Sequence, residues 1–386
     1  MFRLLWLVPP IPPYLLCVIY FVLIGQPIHG VEPEPASAEQ AAKDRTVVQA
    51  LNRMANVDLS AFPKAKQSLL RYLRSNPEAD DALDLMRRFQ LKELAPELVE
   101  HAVLHPEATQ GVNAARLLLD WEAVEIISEV VSSEDHVRAA RLLTAVGLTG
   151  NKRALEFALP LLEQSDVDPS LLRAAISAAG RHEVGQRRLL RKVESNAFPA
   201  EMQTVLANAL LGSKFPTIRE QAAKFLTLPA TAGGEPLPAV SELVHLHGDR
   251  IRGRELFFGK ATCGKCHQVG AEGKQVGPHL TEIGSKLSRE ALIVSILEPS
   301  AAVSFGYEMH VLLTAEGEQL SGIVVSQTDT GVTLRDAEGI DRTIVQDDID
   351  ELHKLPKSIM PDGLERNLTV DEFVNLVEFL MAQKKS

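Results

Sequence analysis

Cys263-Gly264-Lys265-Cys266-His267 brings two thiols and an imidazole into five consecutive residues. Thiols held three residues apart can add to the two vinyl groups of a haem as thioethers, and the adjoining imidazole then lies under the iron. The same spacing also serves a redox pair or half of a zinc site, so the surrounding sequence has to discriminate. The chain holds three cysteines, and the third, Cys17, lies in an apolar amino-terminal run. Arg3, the Pro9-Pro10-Ile11-Pro12-Pro13 interruption and the apolar segment from Tyr14 to Ile24 read as an export signal over residues 1–30. Cleavage is expected after Gly30 or near Ala36-Ser37-Ala38. The prolines would break a bilayer-spanning helix, so no stable membrane span is expected; an anchor left uncleaved is the alternative. Leu16 before Cys17 is not the small residue that lipidation requires. With residues 1–30 removed, no thiol remains for a structural disulfide or a four-thiolate zinc site. Asp249 to Phe258, just upstream, reads as a helix, whereas a thioredoxin-type pair would follow a strand. One covalent haem c is the expected cofactor, and the periplasm the expected compartment.

Two further segments suit such a group. An iron-ligating histidine usually donates its free ring N–H to a fixed carbonyl, and Gly277-Pro278-His279-Leu280 offers the Pro278 carbonyl to His267, the candidate proximal ligand. His279 is expected at the surface. Ser358-Ile359-Met360-Pro361 offers a sixth ligand, since a thioether is soft and neutral and a Met/His pair favours Fe(II). Met360 precedes Pro361 and Gly363 in a loop, while the other candidate, Met309, falls in an alternating strand. No Ser/His/Asp set, carboxylate pair or phosphate-binding loop stands out, so no catalytic residue is assigned.

The elements that must position these residues fall into two parts. From 41 to 228 apolar residues recur at three and four, and blocks around Ala115, Ala140, Ala175 and Ala207 look alike at an irregular period of roughly the low thirties. This pattern predicts HEAT-like helical hairpins, forming either a concave docking surface or a spacer. Arg181, Arg187, Arg188, Arg191 and Lys192 read as a solvated helix face. Residues 229–239, with Gly233-Gly234, Pro236 and Pro238, have linker composition. Beyond them, one helix carries Ile251, Gly253, Leu256, Phe257 and Phe258, and a last helix, Val370 to Met381, carries Phe373, Leu376, Val377, Phe379 and Leu380. The two should cross at Gly253 and Phe257. Between 307 and 345 the period becomes two, predicting four strands (308–314, 319–327, 332–335 and 342–345) in an inserted antiparallel sheet or partial barrel. The formal charge of −11 favours basic partners and disfavours nucleic acid.

Residues 240–381 resemble the cytochrome c-like haem-binding domain abundant in planctomycete and verrucomicrobial exported proteins. The shared features are Gly248-Asp249, Gly253, Phe257-Phe258, Cys263 to His267, Gly277-Pro278-His279-Leu280, Glu298-Pro299-Ser300, Gly306-Tyr307, Gly322, Gly339 and Ser358 to Leu364. The resemblance implies covalent haem c with His267 proximal and Met360 distal. Position 279 is His where the related pattern often has an acidic residue, and no propeller-like dehydrogenase region precedes the helices, so sugar oxidation is not expected. The expected fold is mainly α: a HEAT-like solenoid over 41–228, then a class I-like cytochrome c domain over 240–386 with a β insertion at 307–345. The expected function is that of a mono-haem electron carrier, not an enzyme, whose helical repeats dock an unidentified redox partner. A scaffold with a structural or redox-sensing haem, a haem peroxidase and a subunit of a dehydrogenase complex stay open as other classes.

Overall fold

The computed structural model describes residues 38–54, 57–77, 79 and 81–385; the expected export signal at 1–30 lies outside them. Two compact units divide at Ser75/Asn76. In the first, α1 (Ala38–Arg53) packs on α2 (Pro63–Ser75). Arg71 grips the buried Asp44 through Nε and Nη2, at 2.9 and 2.7 Å, and this pairing holds the Asp44 carboxyl below its usual range.

The second unit begins with α3 (Ala82–Arg88), α4 (Ala95–Leu104), α5 (Thr109–Asp120), α6 (Val124–Val131), α7 (His136–Leu148), α8 (Ala154–Leu162), α9 (Pro169–Gly180), α10 (Glu183–Glu194), α11 (Gln203–Leu211) and α12 (Pro216–Ala222). Local chemistry starts several of them. Asp135 accepts from Arg138 N and caps α7; Asp168 accepts from Ser170 N and Leu171 N and caps α9, where Pro169 needs no partner. Alternate helices then stack through small residues. A Cβ on Gly147 would sit 2.8 Å from Ala178 Cβ, and one on Gly180 would sit 2.6 Å from Ala209 Cβ, so α7 to α9 and α9 to α11 are near backbone contact. Ala115, Ala140, Ala175 and Ala207 are all buried. Gln186 Nε2 adds a polar tie, donating to Gly180 O and Ala209 O.

Residues 229–239 are folded in rather than free. Ala232 N donates to Leu368 O at 2.9 Å, Thr231 N to Glu235 O at 2.8 Å, and Leu237 is buried in the core that follows. That core joins α13 (Val240–Leu243), α14 (Arg250–Phe258), α15 (Ile283–Lys286), α16 (Arg289–Leu297) and α17 (Val370–Met381). Asp249 caps α14 by accepting from Ile251 N and Arg252 N. Thr369 and Glu372 form a reciprocal capping box on α17. The two helices meet at Gly253, where a Cβ would lie 2.0 Å from Asn375 O and 2.7 Å from Phe379 Cβ. Phe257 meets Phe379 in a tilted ring contact with centroids 5.4 Å apart. Ile251 is the exception to the expected apolar face: it is 67% exposed, because six residues at 100° each carry it away from Phe257.

The sheet has the order β6-β5-β4-β3-β7, antiparallel throughout: β3 (Glu308–Thr314), β4 (Gln319–Thr328), β5 (Gly331–Arg335), β6 (Asp341–Val345) and β7 (Ile349–Ser358). It follows a two-stranded ribbon, β1 (Gln268–Val269) and β2 (Glu272–Gly273). β7 extends the sheet past the expected limit at 345. Its apolar residues fall at 349, 352 and 355, a spacing of three that hides a strand; two register irregularities against β3 absorb the mismatch. Ile349 and Leu352 still reach the small core formed by Leu312, Val332 and Leu334. Among the described residues no helix is long and apolar enough to cross a membrane.

The early helices and the later core share a charged seam. Arg173 Nη1 donates to Glu298 at 2.6 Å, Arg181 Nη2 to Glu290 at 2.7 Å, Arg141 Nη2 to Val303 O at 2.8 Å, and Ser295 Oγ to Glu107 at 3.2 Å. Residues 108 and 287 form an isolated antiparallel bridge along it.

Two expected outcomes follow from this packing. Gly253→Ala should lower stability by about 1–3 kcal/mol, read from urea titrations, overpacking outweighing the better helix propensity of alanine. Burial lifts the Glu107 carboxyl from 4.5 to about 7; the Ser295 hydroxyl lowers it, Glu298 raises it and Arg141 lowers it. Because the folded state then holds the proton more tightly than the unfolded chain, this contribution is complete below about pH 4.5 and is lost as pH rises through 7. The stability difference between wild type and Glu107→Gln, from denaturant titrations, should therefore shift against wild type across that window, by at most about 1.4 kcal/mol per pH unit.

Candidate haem-attachment site

The attachment motif starts where α14 stops. Gly259 ends the helix, Thr262 takes a left-handed φ of 59°, and Cys263–Lys265 form one 3-10 turn. His267 N and Cys266 N both donate to Cys263 O, at 2.9 and 3.1 Å, so the two thiols and the imidazole belong to one tightly wound segment. Gly264 lies over Phe258; a Cβ there would meet the ring at 2.7 Å. Cys263 and Cys266 are free, half-buried thiols. Burial pushes the Cys263 thiol up to about 12 and also raises that of Cys266, so both stand as neutral S–H groups.

The loop that follows folds back onto this turn. Val276 N and Gly277 N donate to Cys266 O at 2.9 and 2.8 Å, and Lys274 N donates to Gly264 O at 3.1 Å. His267 Nδ1 lies 2.8 Å from Pro278 O. A carbonyl can only accept, so the ring donates there and Nε2 carries the lone pair. Burial lowers the His267 pKa, with the Pro278 hydrogen bond opposing it; the imidazole is neutral, the form a metal requires. Gly277 makes room for the ring, since a Cβ there would sit 2.6 Å from His267 Cε1. His279 is exposed, its Nδ1 2.8 Å from Thr281 Oγ1.

Met360 lies in the loop after β7, half-buried, with its backbone N donating to Ser358 Oγ at 3.1 Å. Ser358 N in turn donates to Ser300 Oγ at 3.1 Å. Met309 stays in β3, paired in register with Ile323. Two free thiols on one turn beside a neutral, oriented imidazole form a donor set that fits a covalently tethered haem. Among the described residues no group of three His, Cys, Asp or Glu side chains could hold a metal ion.

Some residues that shape the site are far from it in sequence. Arg335 pairs with Asp341 through Nε and Nη2, at 2.6 and 2.8 Å, and its Nη1 donates to Gln275 O at 2.9 Å. Lys274 Nζ donates to Glu338 O at 3.3 Å, and Val276, 1% exposed, sits beside Gly339. The β5–β6 hairpin thus braces the 274–278 loop beside Cys266 and His267. Gly339 stood out in the sequence; its contact with Val276 did not, because 63 positions separate them. Glu298-Pro299-Ser300 stood out in sequence without a role, and its side chains face Arg173 and the Ser358 amide.

Gly277→Ala should push the imidazole off the Pro278 carbonyl. In proton–nitrogen NMR of the haem-free chain, the exchange-protected Nδ1–H of His267 should be lost in that variant and kept in Gln275→Ala, whose side chain lies outside this contact.

A family model described as Cytochrome c matches residues 251–310, from the first turn of α14 to β3. No curated protein matches the chain. The matched stretch holds the turn, both thiols, His267 and the Pro278 loop, and ends before Met360. Residues 251–310 therefore match a cytochrome c domain, and the rest of the chain lies outside that match.

Proposed function

We propose that the chain is an exported, periplasmic mono-haem c-type cytochrome that carries electrons between proteins. In this reading Cys263 and Cys266 tether the haem as thioethers, His267 is the proximal ligand with Pro278 behind it, and Met360 is the distal ligand. Residues 41–228 are HEAT-like repeats that dock a redox partner, 229–239 connect them to the haem domain, and 240–386 form that domain. The observation that carries the reading is the 2.8 Å contact between His267 Nδ1 and Pro278 O on the segment that holds two free thiols, because it leaves Nε2 unprotonated one residue after Cys266.

The bound group would supply reversible one-electron exchange at iron. The protein's part is to hold it still. His267 cannot swing while Pro278 O accepts its Nδ1–H, and that hydrogen bond also raises the basicity of Nε2. A methionine thioether does not titrate, so ligation by Met360 would stay constant across physiological pH while favouring Fe(II). A peroxidase would instead need an open sixth position and a distal acid/base residue. The charge of −11 favours a basic partner.

The full chain, co-expressed with a haem-maturation system, should show the added mass of one haem, a mature start after residue 30, and six-coordinate spectra in both oxidation states. A mass short by one haem would refute covalent attachment. Met360→Ala should lose the thioether-to-iron charge-transfer band and gain affinity for external ligands; an unchanged spectrum would remove Met360 as ligand. Rapid peroxide turnover by the wild type would overturn the carrier reading.

A further inference from the structure

Among the ion pairs of the seam, Arg173–Glu298 is the most enclosed. Its side chains are 18% and 8% exposed, against 27% and 38% for Arg181–Glu290. Its acid is also unusually placed. Glu298 closes α16, with its N–H donating to Val294 O, and its own carbonyl accepts from Ala301 N at 2.9 Å. The two ends of the side-chain pair and this short turn therefore form one rigid corner. Ser300, inside that corner, presents Oγ to Ser358 N at 3.1 Å, and Ser358 Oγ accepts from Met360 N at 3.1 Å. A series of polar contacts, joined between Glu298 and Ser300 by the backbone of the short turn, thus runs from the middle of α9 through Ser358 to the backbone of Met360.

The neighbouring charges make Arg173 the critical member. Burial disfavours the charge on Glu298, and Asp362, two residues beyond Met360, repels it. Arg141 lies on α7, but its Nη2 is committed to Val303 O and its Nε is buried without a hydrogen-bond partner. Arg173 is the cation in direct contact with Glu298. Removing it leaves an uncompensated carboxylate behind the corner that holds Ser300.

We propose that Arg173 is a positioning residue for Met360: through Glu298, Ser300 and Ser358 it holds the Met360 loop in place. The helical array would then act inside the molecule as well as on partners, as a clamp on one face of the haem site. The loop-positioning role stands on the contacts above; its consequence for iron rests on the reading of Met360 as distal ligand.

The test uses the full-length haem-loaded protein and four variants. Arg173→Gln breaks the series at its origin, Arg173→Lys keeps the charge, Ser358→Ala breaks it next to Met360, and Arg181→Gln removes a seam ion pair that lies off the series. Two quantities are read in each: hydrogen exchange at the Met360 amide, and the affinity of the ferric protein for external imidazole, which must displace the distal ligand. Arg173→Gln and Ser358→Ala should speed exchange and raise imidazole affinity by about 10- to 100-fold, the usual cost of disturbing the groups behind a metal ligand. Arg173→Lys should restore most of the wild-type behaviour, and Arg181→Gln should match wild type. Unchanged exchange and affinity in Arg173→Gln, or equal effects in Arg181→Gln, would overturn the proposal. Met360→Ala separates the two ideas. If Arg173→Gln speeds exchange while Met360→Ala leaves imidazole affinity unchanged, the loop is held as proposed but Met360 is not the ligand. If Met360→Ala raises affinity and Arg173→Gln does nothing, the ligand reading stands and the clamp falls.

Discussion

The crossing of α14 and α17 at Gly253 is the constraint from which the candidate haem site takes its position. With no side chain at 253, the backbone of α14 lies against Asn375 and Phe379, and any larger residue would separate the helices. That proximity interlocks Phe257 with Phe379 and buries Phe257, Phe373, Leu376 and Val377 in one core. Each large apolar side chain so buried contributes about 1.5–3 kcal/mol as an upper estimate. Because α14 ends at Phe258 and the 3-10 turn begins at Cys263, the place where the helices cross also determines where the two thiols emerge. α17 is in this sense part of the attachment site, since Cys263 packs against the core that its side chains help to build.

A second layer of control comes from charge rather than apolar packing. The seam between the early helices and the later core is built from Arg141, Arg173, Arg181, Glu107, Glu290 and Glu298, groups that an apolar interface would not need. A buried ion pair is weak evidence for stability, since its Coulomb gain is offset by desolvation, but losing one partner is costly. What such a seam supplies is register: Arg173 meets Glu298 in one alignment of α9 and α16, and a slip by one turn would strand both charges. The β5–β6 hairpin works similarly on the other side of the chain. Arg335, held by Asp341, has one orientation left in which to reach Gln275 O.

Much was legible in the sequence where the relevant chemistry is local. The mainly helical composition follows from apolar residues at three and four, and the antiparallel sheet from alternation beginning at Glu308. Caps at Asp249, Asp135 and Asp168 are side chains bonding amides two or three positions on. β7 was not legible, because Ile349, Leu352 and Leu355 fit neither period; its pairing with β3 tolerates register irregularities that a single strand does not reveal. Ile251 was counted as core by hydrophobicity alone and is solvent-facing by geometry. Residues 229–239 have the composition of a linker, yet Leu237 is buried and Ala232 is bonded to Leu368, since Gly and Pro describe how a chain turns and not whether it is covered.

The sequence by itself determined the chemistry on offer: two thiols and an imidazole within five residues, a nearby Gly-Pro carbonyl, and a methionine in a Pro/Gly-bounded loop. These are properties of residue type and short spacing, and no fold can add them. Tertiary structure alone decided what stands behind each group. Arg335 braces the loop beside His267, and Arg173 reaches Glu298 across 125 positions. Such contacts depend on the summed geometry of every helix and turn between them, and a one-residue insertion anywhere along that path would leave the motifs intact while sending the supporting side chains elsewhere.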